Sequence, residues 1–261
     1  MAAVSFPNFP EKHGFDAIVQ PEAMLAHRRR GGRLPSISGP EGVVICLQRG
    51  LPERMRWRVR IRRLGRLMGD LYAVRSTGGR VAVLTNFGLG APIVAAQAEE
   101  LIALGARRLV SLALSGGLQP DLAPGALVVV ESAIRDEGTS HHYLPPGTQV
   151  AGDPALVAAL AGELTRRGSS VRVGTSWSTD APYRETREEV ARYQADGVLA
   201  VDMELAALFA VAQVRGVAAA GVLVVGDSLA DGRWRPPDEL GSMERSLERA
   251  YRVAIDVLNR A

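Results

Sequence analysis

The sequence predicts a single α/β domain with a central, twisted, mixed and largely parallel sheet that is flanked by helices. Two observations predict this class. Short runs rich in β-branched residues alternate with longer helical patterns, and glycine follows several of those patterns. A length of 261 residues suits one domain of this kind. Because ligands of such sheets bind beyond the carboxyl ends of the strands, we expect the functional residues in those loops.

The predicted strands are short apolar runs bounded by turn residues. They cover residues 43–47, 81–85, 109–114, 126–130, 171–175 and 217–225. The predicted helices cover residues 92–104, 154–167, 187–194, 203–215 and 242–259. Residues 1–41 hold prolines, glycines and an arginine-rich turn, so we expect an irregular N-terminal arm on a domain that spans residues 42–261.

Charge and cysteine content narrow the function classes. A net charge of +3 favours small anionic ligands over nucleic acid. The arginine-rich residues 54–63 alternate with apolar residues, which is typical of a solvated strand face or amphipathic segment. Cys46 is the only cysteine, so we expect a buried thiol, no disulfide and a cytoplasmic location. No signal-peptide pattern opens the chain and each apolar run is too short to span a bilayer, so no membrane partner is expected.

Glycine-containing turns follow the first two predicted strands. Residues 50–54 read GLPER, where Gly50 lets a backbone N–H approach an anion and Arg54 offers a planar fork to phosphate. An ordinary turn explains the same residues. Residues 85–92 read TNFGLGAP and lead into a helix, so their free N–H groups and the helix dipole form a potential anion site. The third glycine of a dinucleotide-binding motif is absent.

The joint order of these turns and three later segments resembles the purine nucleoside and uridine phosphorylase family. The later segments are residues 132–143, SAIRDEGTSHHY, residues 177–186, WSTDAPYRET, and residues 201–208, VDMELAAL. The last is close to the family signature Met-Glu-x-Ala-Ala-Leu. The resemblance extends from about Gly42 to Asp231 and implies a nucleoside-phosphorylase-like fold. It also implies a homo-oligomer, a dimer or a hexamer of dimers, that acts on a nucleoside and phosphate without a cofactor.

The resemblance assigns roles to three residues. Glu204 is expected to accept hydrogen bonds from the ribose 2′- and 3′-hydroxyls, and Met203 to pack on the sugar. Asp227 is expected to protonate or hydrogen-bond N7 of a departing purine, provided that burial raises the pKa of its carboxyl group. Without the resemblance, Glu204 is a first-turn helix carboxylate and Asp227 belongs to a capping turn.

Further site residues follow from the same resemblance. The base loop is expected to line the base pocket with Trp177, Pro182 and Tyr183, and to supply polar contacts from Thr179, Asp180, Arg184 or Glu185. The phosphate-binding residues are expected to be Gly50, Arg54, Gly88 and Ser115. His13 is the candidate for the 5′-hydroxyl of a neighbouring subunit's nucleoside, although an exposed histidine without a function explains it equally well. His141 and His142 lack a third ligand, so no metal site is expected.

The sequence leaves two alternatives for the base, a purine or uracil, and two for the nucleophile, phosphate or water. The base loop lacks the Gln-x-Arg element of uridine-specific relatives, which together with Asp227 favours a purine. Phosphorolytic relatives carry Arg-x-Gly-Thr where this chain has residues 111–114, SLAL, so Ser111 and Leu114 remove two phosphate-binding groups. Three hypotheses follow: a phosphorylase, a hydrolase that uses water, and a nucleoside-binding protein without catalytic activity. An acid beside the leaving group disfavours the third.

Overall fold

The computed structural model describes residues 9, 11–31, 34 and 39–260. Its strands are β1 Gly42–Cys46, β2 Ile61–Arg66, β3 Asp70–Val74, β4 Val81–Thr85, β5 Arg108–Gly117, β6 Leu127–Asp136, β7 Gln149–Ala151, β8 Val171–Thr179, β9 Ala200–Asp202 and β10 Ala218–Ser228. Its helices are α1 Pro21–Arg30, α2 Leu51–Arg54, α3 Ala91–Ala103, α4 Pro154–Arg166, α5 Arg187–Ala195, α6 Leu205–Arg215 and α7 Gly241–Arg260.

All ten strands belong to one mixed sheet with the order β10-β6-β8-β9-β5-β1-β4-β3-β2, to which β7 adds beside β6. A second pairing joins β10 to β5, so that β5, β9, β8, β6 and β10 close into a ring. Strands β4, β1, β5 and β10 run parallel as neighbours. Their carboxyl ends therefore meet at one edge, where the sequence analysis placed the functional loops.

Two hydrophobic cores lie on opposite faces of the sheet. Along β1, Val43 and Ile45 belong to one core, whereas Val44 and Cys46 belong to the other. Helices α3 and α6 cover the first face, and α4 and α7 cover the second. Because both faces of the central strands are buried, these strands are continuous apolar runs without a polar alternation.

A β-bulge interrupts β10 close to its carboxyl end. Val225 lies opposite Ser115 and Asp227 lies opposite Gly116, so Gly226 is the extra residue of the bulge. Val225 is fully buried in the core, whereas Asp227 is half-buried and lines a cavity. In a regular strand, Val225 and Asp227 would point to the same face of the sheet. The extra residue lets Val225 face the core while Asp227 faces the cavity.

The structure contains elements that the sequence analysis did not anticipate. The segment interpreted as an irregular arm contains helix α1, whose Leu25 is buried and whose Arg28 forms a 2.6 Å ion pair with Glu100 of α3. The arginine-rich stretch ends in β2, which forms an antiparallel edge hairpin with β3. Strands β7 and β9 are also additional. None of the helices in the described part of the chain combines the length and apolar character needed to cross a bilayer.

Candidate active site

A cavity of about 1190 Å³ opens at the carboxyl edge of the parallel strands. Gln48 reaches it from the end of β1, Leu89 from the loop after β4, and Ser115 from β5. Asp227 reaches it from β10, and Glu204 reaches it from the turn between β9 and α6. The structure thus brings the two carboxylates of the predicted mechanism into one cavity.

Glu204 is held by the backbone. Its Oε1 accepts a hydrogen bond from the N–H of Gly90 at 2.8 Å, and its Oε2 accepts one from the N–H of Met203 at 3.2 Å. The side chain is 4% exposed. Each oxygen retains a lone pair, so the carboxylate can still accept from two vicinal hydroxyls. The glycine turn before α3 was interpreted from the sequence as an anion site. Its Gly90 N–H donates to the carboxylate of Glu204.

The electrostatic environment of Glu204 favours its neutral form. Burial, followed by the negative charge of Asp202, raises the pKa of Glu204 to about 7. Asp202 is itself buried, and its Oδ1 accepts hydrogen bonds from the Ser178 hydroxyl at 2.9 Å and from the N–H groups of Glu204 and Leu205, both at 2.8 Å. These bonds satisfy the first donors of α6 and fix the backbone that carries Glu204.

Asp227 lies against glycine backbone. A Cβ at Gly116 would lie 3.1 Å from Oδ1 of Asp227 and 2.8 Å from Val201, so only glycine leaves room for this carboxylate. The indole N–H of Trp234 donates to Oδ2 of Asp227 at 3.0 Å. One oxygen is thus held by Trp234, while the carboxyl group remains at the cavity surface.

A second carboxylate lines this part of the cavity. Glu185 follows the short 3-10 turn Pro182–Arg184 and is half-buried. Burial, with smaller contributions from the negative charges of Asp227 and Glu189, raises the pKa of Glu185 to about 7. Glu185 is one of the base-loop residues that the resemblance offered as a polar contact to the base.

The base loop is brought to the cavity only in part. Pro182 and Tyr183 line it. Trp177, in contrast, is 1% exposed and packs against Tyr193 beneath α5, with its indole N–H bonded to Asp136 at 2.8 Å. It belongs to the core behind the cavity wall. Thr179, Asp180 and Arg184 are also absent from the lining, and Asp180 accepts a hydrogen bond from the N–H of Gly138 at 2.8 Å.

Of the four predicted phosphate-binding residues, one lines the cavity and three do not. Ser115 lines the cavity, and its buried hydroxyl oxygen has no hydrogen-bond partner within the described residues. Arg54 lies 3.7 Å from Glu244 of α7 and is not part of the lining. Gly50 and Gly88 are not part of it either, although Gln48 and Leu89 of the same loops are. Gly50 has a φ of 75°, which suits the turn before α2.

His13 lies outside the cavity of its own chain. Its Nε2 donates to the backbone oxygen of His141 at 3.1 Å, and the neighbouring Lys12 lies 2.5 Å from Nδ1 of His142. Within the described residues, no group of three or more histidine, cysteine, aspartate or glutamate side chains could hold a metal ion.

Comparison with known proteins gives the family. The phosphorylase superfamily model matches residues 45–259. The chain belongs to the phosphorylase superfamily. This family assignment covers every residue that lines the cavity, whereas His13 lies outside the matched range.

Individual relatives within the phosphorylase superfamily agree with the assignment. A guanosine phosphorylase from Halorubrum lacusprofundi is 29% identical over 70% of this chain and 78% of that protein. A uridine phosphorylase from Treponema pallidum is 35% identical over 56% of this chain and 60% of that protein. The crystal structure of uridine phosphorylase from Vibrio fischeri ES114 superposes with a TM-score of 0.74 over 85% of this chain and 93% of that chain, at 23% identity.

These findings confirm three predictions. The phosphorylase superfamily is the family that the sequence motifs indicated, and the structural likeness confirms the mixed α/β fold class. The enzyme class is also confirmed, because the relatives are nucleoside phosphorylases and hence pentosyltransferases.

Proposed function

We propose that this chain cleaves the N-glycosidic bond of a purine nucleoside with phosphate and releases the free base and ribose 1-phosphate. One observation carries the proposal: Glu204 and Asp227 line the same cavity, with Glu204 oriented by backbone N–H groups. Glu204 holds the ribose hydroxyls and Met203 packs on the sugar. Asp227 donates a proton or a hydrogen bond to N7, which stabilises the base as the bond to ribose breaks.

The remaining roles are proposed on the same basis. Pro182 and Tyr183 contact the base. Ser115, with the backbone near Gly50 and Gly88, binds phosphate on the far side of the sugar, where the anion stabilises an oxocarbenium-like transition state and attacks it. Arg54 can assist only after release from Glu244. Phosphate is a co-substrate, and no cofactor is required.

A purine is favoured by two observations. Asp227 brings a carboxyl group into the cavity that can serve N7 of a purine, and the guanosine phosphorylase relative acts on a purine nucleoside by its name. The uridine phosphorylase relatives give the competing assignment. The cytoplasmic location expected from the single cysteine remains a prediction.

Product analysis can test directly whether phosphate or water is the nucleophile. We expect base release from a purine nucleoside to require inorganic phosphate and to yield ribose 1-phosphate, with a high phosphate KM because Ser111 and Leu114 replace charged and hydroxyl donors. Chromatography of base and sugar products, with and without phosphate, measures both. Equal rates in phosphate-free buffer with free ribose as product would establish hydrolysis instead. Tight nucleoside binding without any base release would indicate a binding protein.

We also propose that the protein is a homo-oligomer in which the N-terminal arm lies at an interface and His13 reaches a neighbouring site. The arm exposes apolar side chains, with Phe15 at 62% and Ile18 at 99% exposure. Sedimentation velocity at decreasing concentration should show an assembly larger than one 27.8 kDa chain under assay conditions. A fully active monomer would exclude this arrangement.

A further inference from the structure

The carboxylate of Asp227 is held by one side-chain hydrogen bond. The indole N–H of Trp234 donates to Oδ2 at 3.0 Å, and Oδ1 accepts no hydrogen bond from any group in the part of the chain that the structure describes. The proposed mechanism requires Asp227 to donate a proton but does not say which oxygen carries it. Trp234 lines the same cavity and has no role in that mechanism.

A short hairpin after β10 brings Trp234 back to Asp227. Ser228 and Arg235 form an isolated antiparallel bridge, in which each backbone N–H donates to the other residue's backbone oxygen, at 3.0 and 2.9 Å. Near the tip, Gly232 has a φ of 70°, a conformation that glycine adopts without strain. The reversal of the chain lets the Trp234 side chain bond an acid seven residues earlier in the sequence.

Further contacts fix this hairpin in place. The carboxylate of Asp231 accepts the backbone N–H of Arg233 at 3.2 Å and Nε of Arg235 at 2.7 Å. Nε of Arg187, at the start of α5, donates to the backbone oxygen of Gly232 at 3.1 Å. The indole side chain that the hairpin carries is 66% exposed, so it contributes little to the hydrophobic core. A substitution of this side chain should therefore leave the fold intact.

The hydrogen bond from Trp234 distinguishes the two oxygens of the acid. In a protonated carboxyl group, one oxygen is a carbonyl acceptor and the other is a hydroxyl donor. The indole N–H is a donor only, so it pairs best with the carbonyl oxygen. Oδ2 of Asp227 is therefore the acceptor, and Oδ1 carries the acidic proton.

The same hydrogen bond becomes stronger as the proposed reaction proceeds. The O–H bond of Asp227 breaks and an N7–H bond forms, while the electron pair of the glycosidic bond passes to the base. Asp227 is then a carboxylate, and hydrogen bonds to an ionised group are about twice as strong as those between neutral groups. An interaction that strengthens toward the transition state raises kcat.

We propose that Trp234 is a positioning residue for the general acid: its indole N–H directs the proton of Asp227 to Oδ1 and stabilises the carboxylate that remains after proton transfer. This inference rests on the proposed phosphorolysis of purine nucleosides. An aromatic ring in a cavity can instead stack on the base. Stacking contributes equally to the bound substrate and the transition state, so its loss raises KM and leaves kcat unchanged.

The substitution Trp234→Phe removes the N–H group and keeps an aromatic ring. We expect kcat for guanosine, with saturating phosphate, to fall about tenfold while the nucleoside KM changes little. Single-turnover measurements of base release check that the chemical step is the one affected. Trp57→Phe is the matched control, because Trp57 is 83% exposed and does not line the cavity. Its kcat should equal that of the wild type.

A substrate that needs no acid gives a second readout. 7-Methylguanosine carries a methyl group on N7 and a positive charge on its base, so the base departs without receiving a proton. We expect Trp234→Phe to slow the cleavage of guanosine and to leave kcat for 7-methylguanosine at the wild-type value. A purely structural defect in the cavity would slow both substrates alike.

The Asp227→Asn background shows whether Trp234 acts through the acid. In that background, Trp234→Phe should cause no further loss of kcat for guanosine. The inference is overturned by an undiminished further loss there, by equal losses for guanosine and 7-methylguanosine, by a change confined to the nucleoside KM, or by wild-type turnover of guanosine in Trp234→Phe. A wild-type protein without phosphate-dependent cleavage of any purine nucleoside contradicts the proposed function itself, which separates the two failures.

Discussion

Asp227→Asn should lower kcat by about 10²- to 10⁴-fold while changing nucleoside affinity little. The amide oxygen can still accept the indole N–H of Trp234, so the side chain keeps its 3.0 Å contact and its place beside Gly116. What it loses is the acidic proton. Because that proton is needed only as the base departs, the effect falls on turnover. Steady-state kinetics with guanosine and phosphate, together with nucleoside binding by calorimetry, measure both quantities.

Asp238→Asn is the control for this variant. Asp238 lies on the loop that follows β10, is exposed and does not line the cavity, so kcat should remain at the wild-type value. A raised KM with unchanged kcat in Asp227→Asn would show that Asp227 binds the base and does not act as the general acid.

Glu204→Gln should lower kcat/KM for ribonucleosides by roughly 10- to 100-fold, the equivalent of one lost charged hydrogen bond. The structure gives a specific reason. Both carboxylate oxygens accept backbone N–H groups, from Gly90 and Met203, so the amide nitrogen of glutamine must face one of these donors. The variant loses both charge and orientation at the ribose. Kinetics with guanosine and 2′-deoxyguanosine should show a smaller loss for the deoxy substrate, which lacks one of the two hydroxyls.

The same residue predicts a pH dependence. The pKa of Glu204 is raised to about 7, so its acceptor form predominates above that pH and is lost as the pH falls. Ribonucleoside kcat/KM should therefore decline below neutral pH in the wild type, and this component should vanish in the variant. Equal responses of the ribo and deoxy substrates, with unchanged binding, would exclude Glu204 as the ribose ligand.

The sequence predicted the buried strands well because their burial is continuous. β1 and β4 are buried at each position, which leaves an apolar run with few alternative interpretations. The β2–β3 hairpin was missed because β2 is an edge strand whose arginines face solvent, so its residues resemble an exposed segment. Helix α1 was missed although Pro21 occupies its first turn, because the surrounding prolines and glycines indicated irregular structure.

The site residues also fall into those that the sequence could place and those that it could not. Met203 and Glu204 directly follow β9, and Asp227 lies near the carboxyl end of β10, so local patterns place all three at the sheet edge. Trp177 was misplaced because an aromatic residue in a base loop serves equally as core, and only the packing of α5 over β8 decides which. Glu185 and Trp234 carried weaker signals, since their proximity to Asp227 depends on how separate loops fold over the cavity.

Because of the bulge in β10, the direction in which the Asp227 side chain points depends on the number of residues between Val225 and Asp227. A Cβ at Gly226 would meet its nearest neighbour at 3.5 Å, so the chemical identity of this extra residue matters less than its presence. Insertion or deletion of one residue between Val225 and Asp227 would change the acid's register relative to β5 while leaving every side chain in the sequence intact. Alignments of this strand with relatives should therefore treat a single-residue gap as a change at the active centre, even where the aspartate itself is matched.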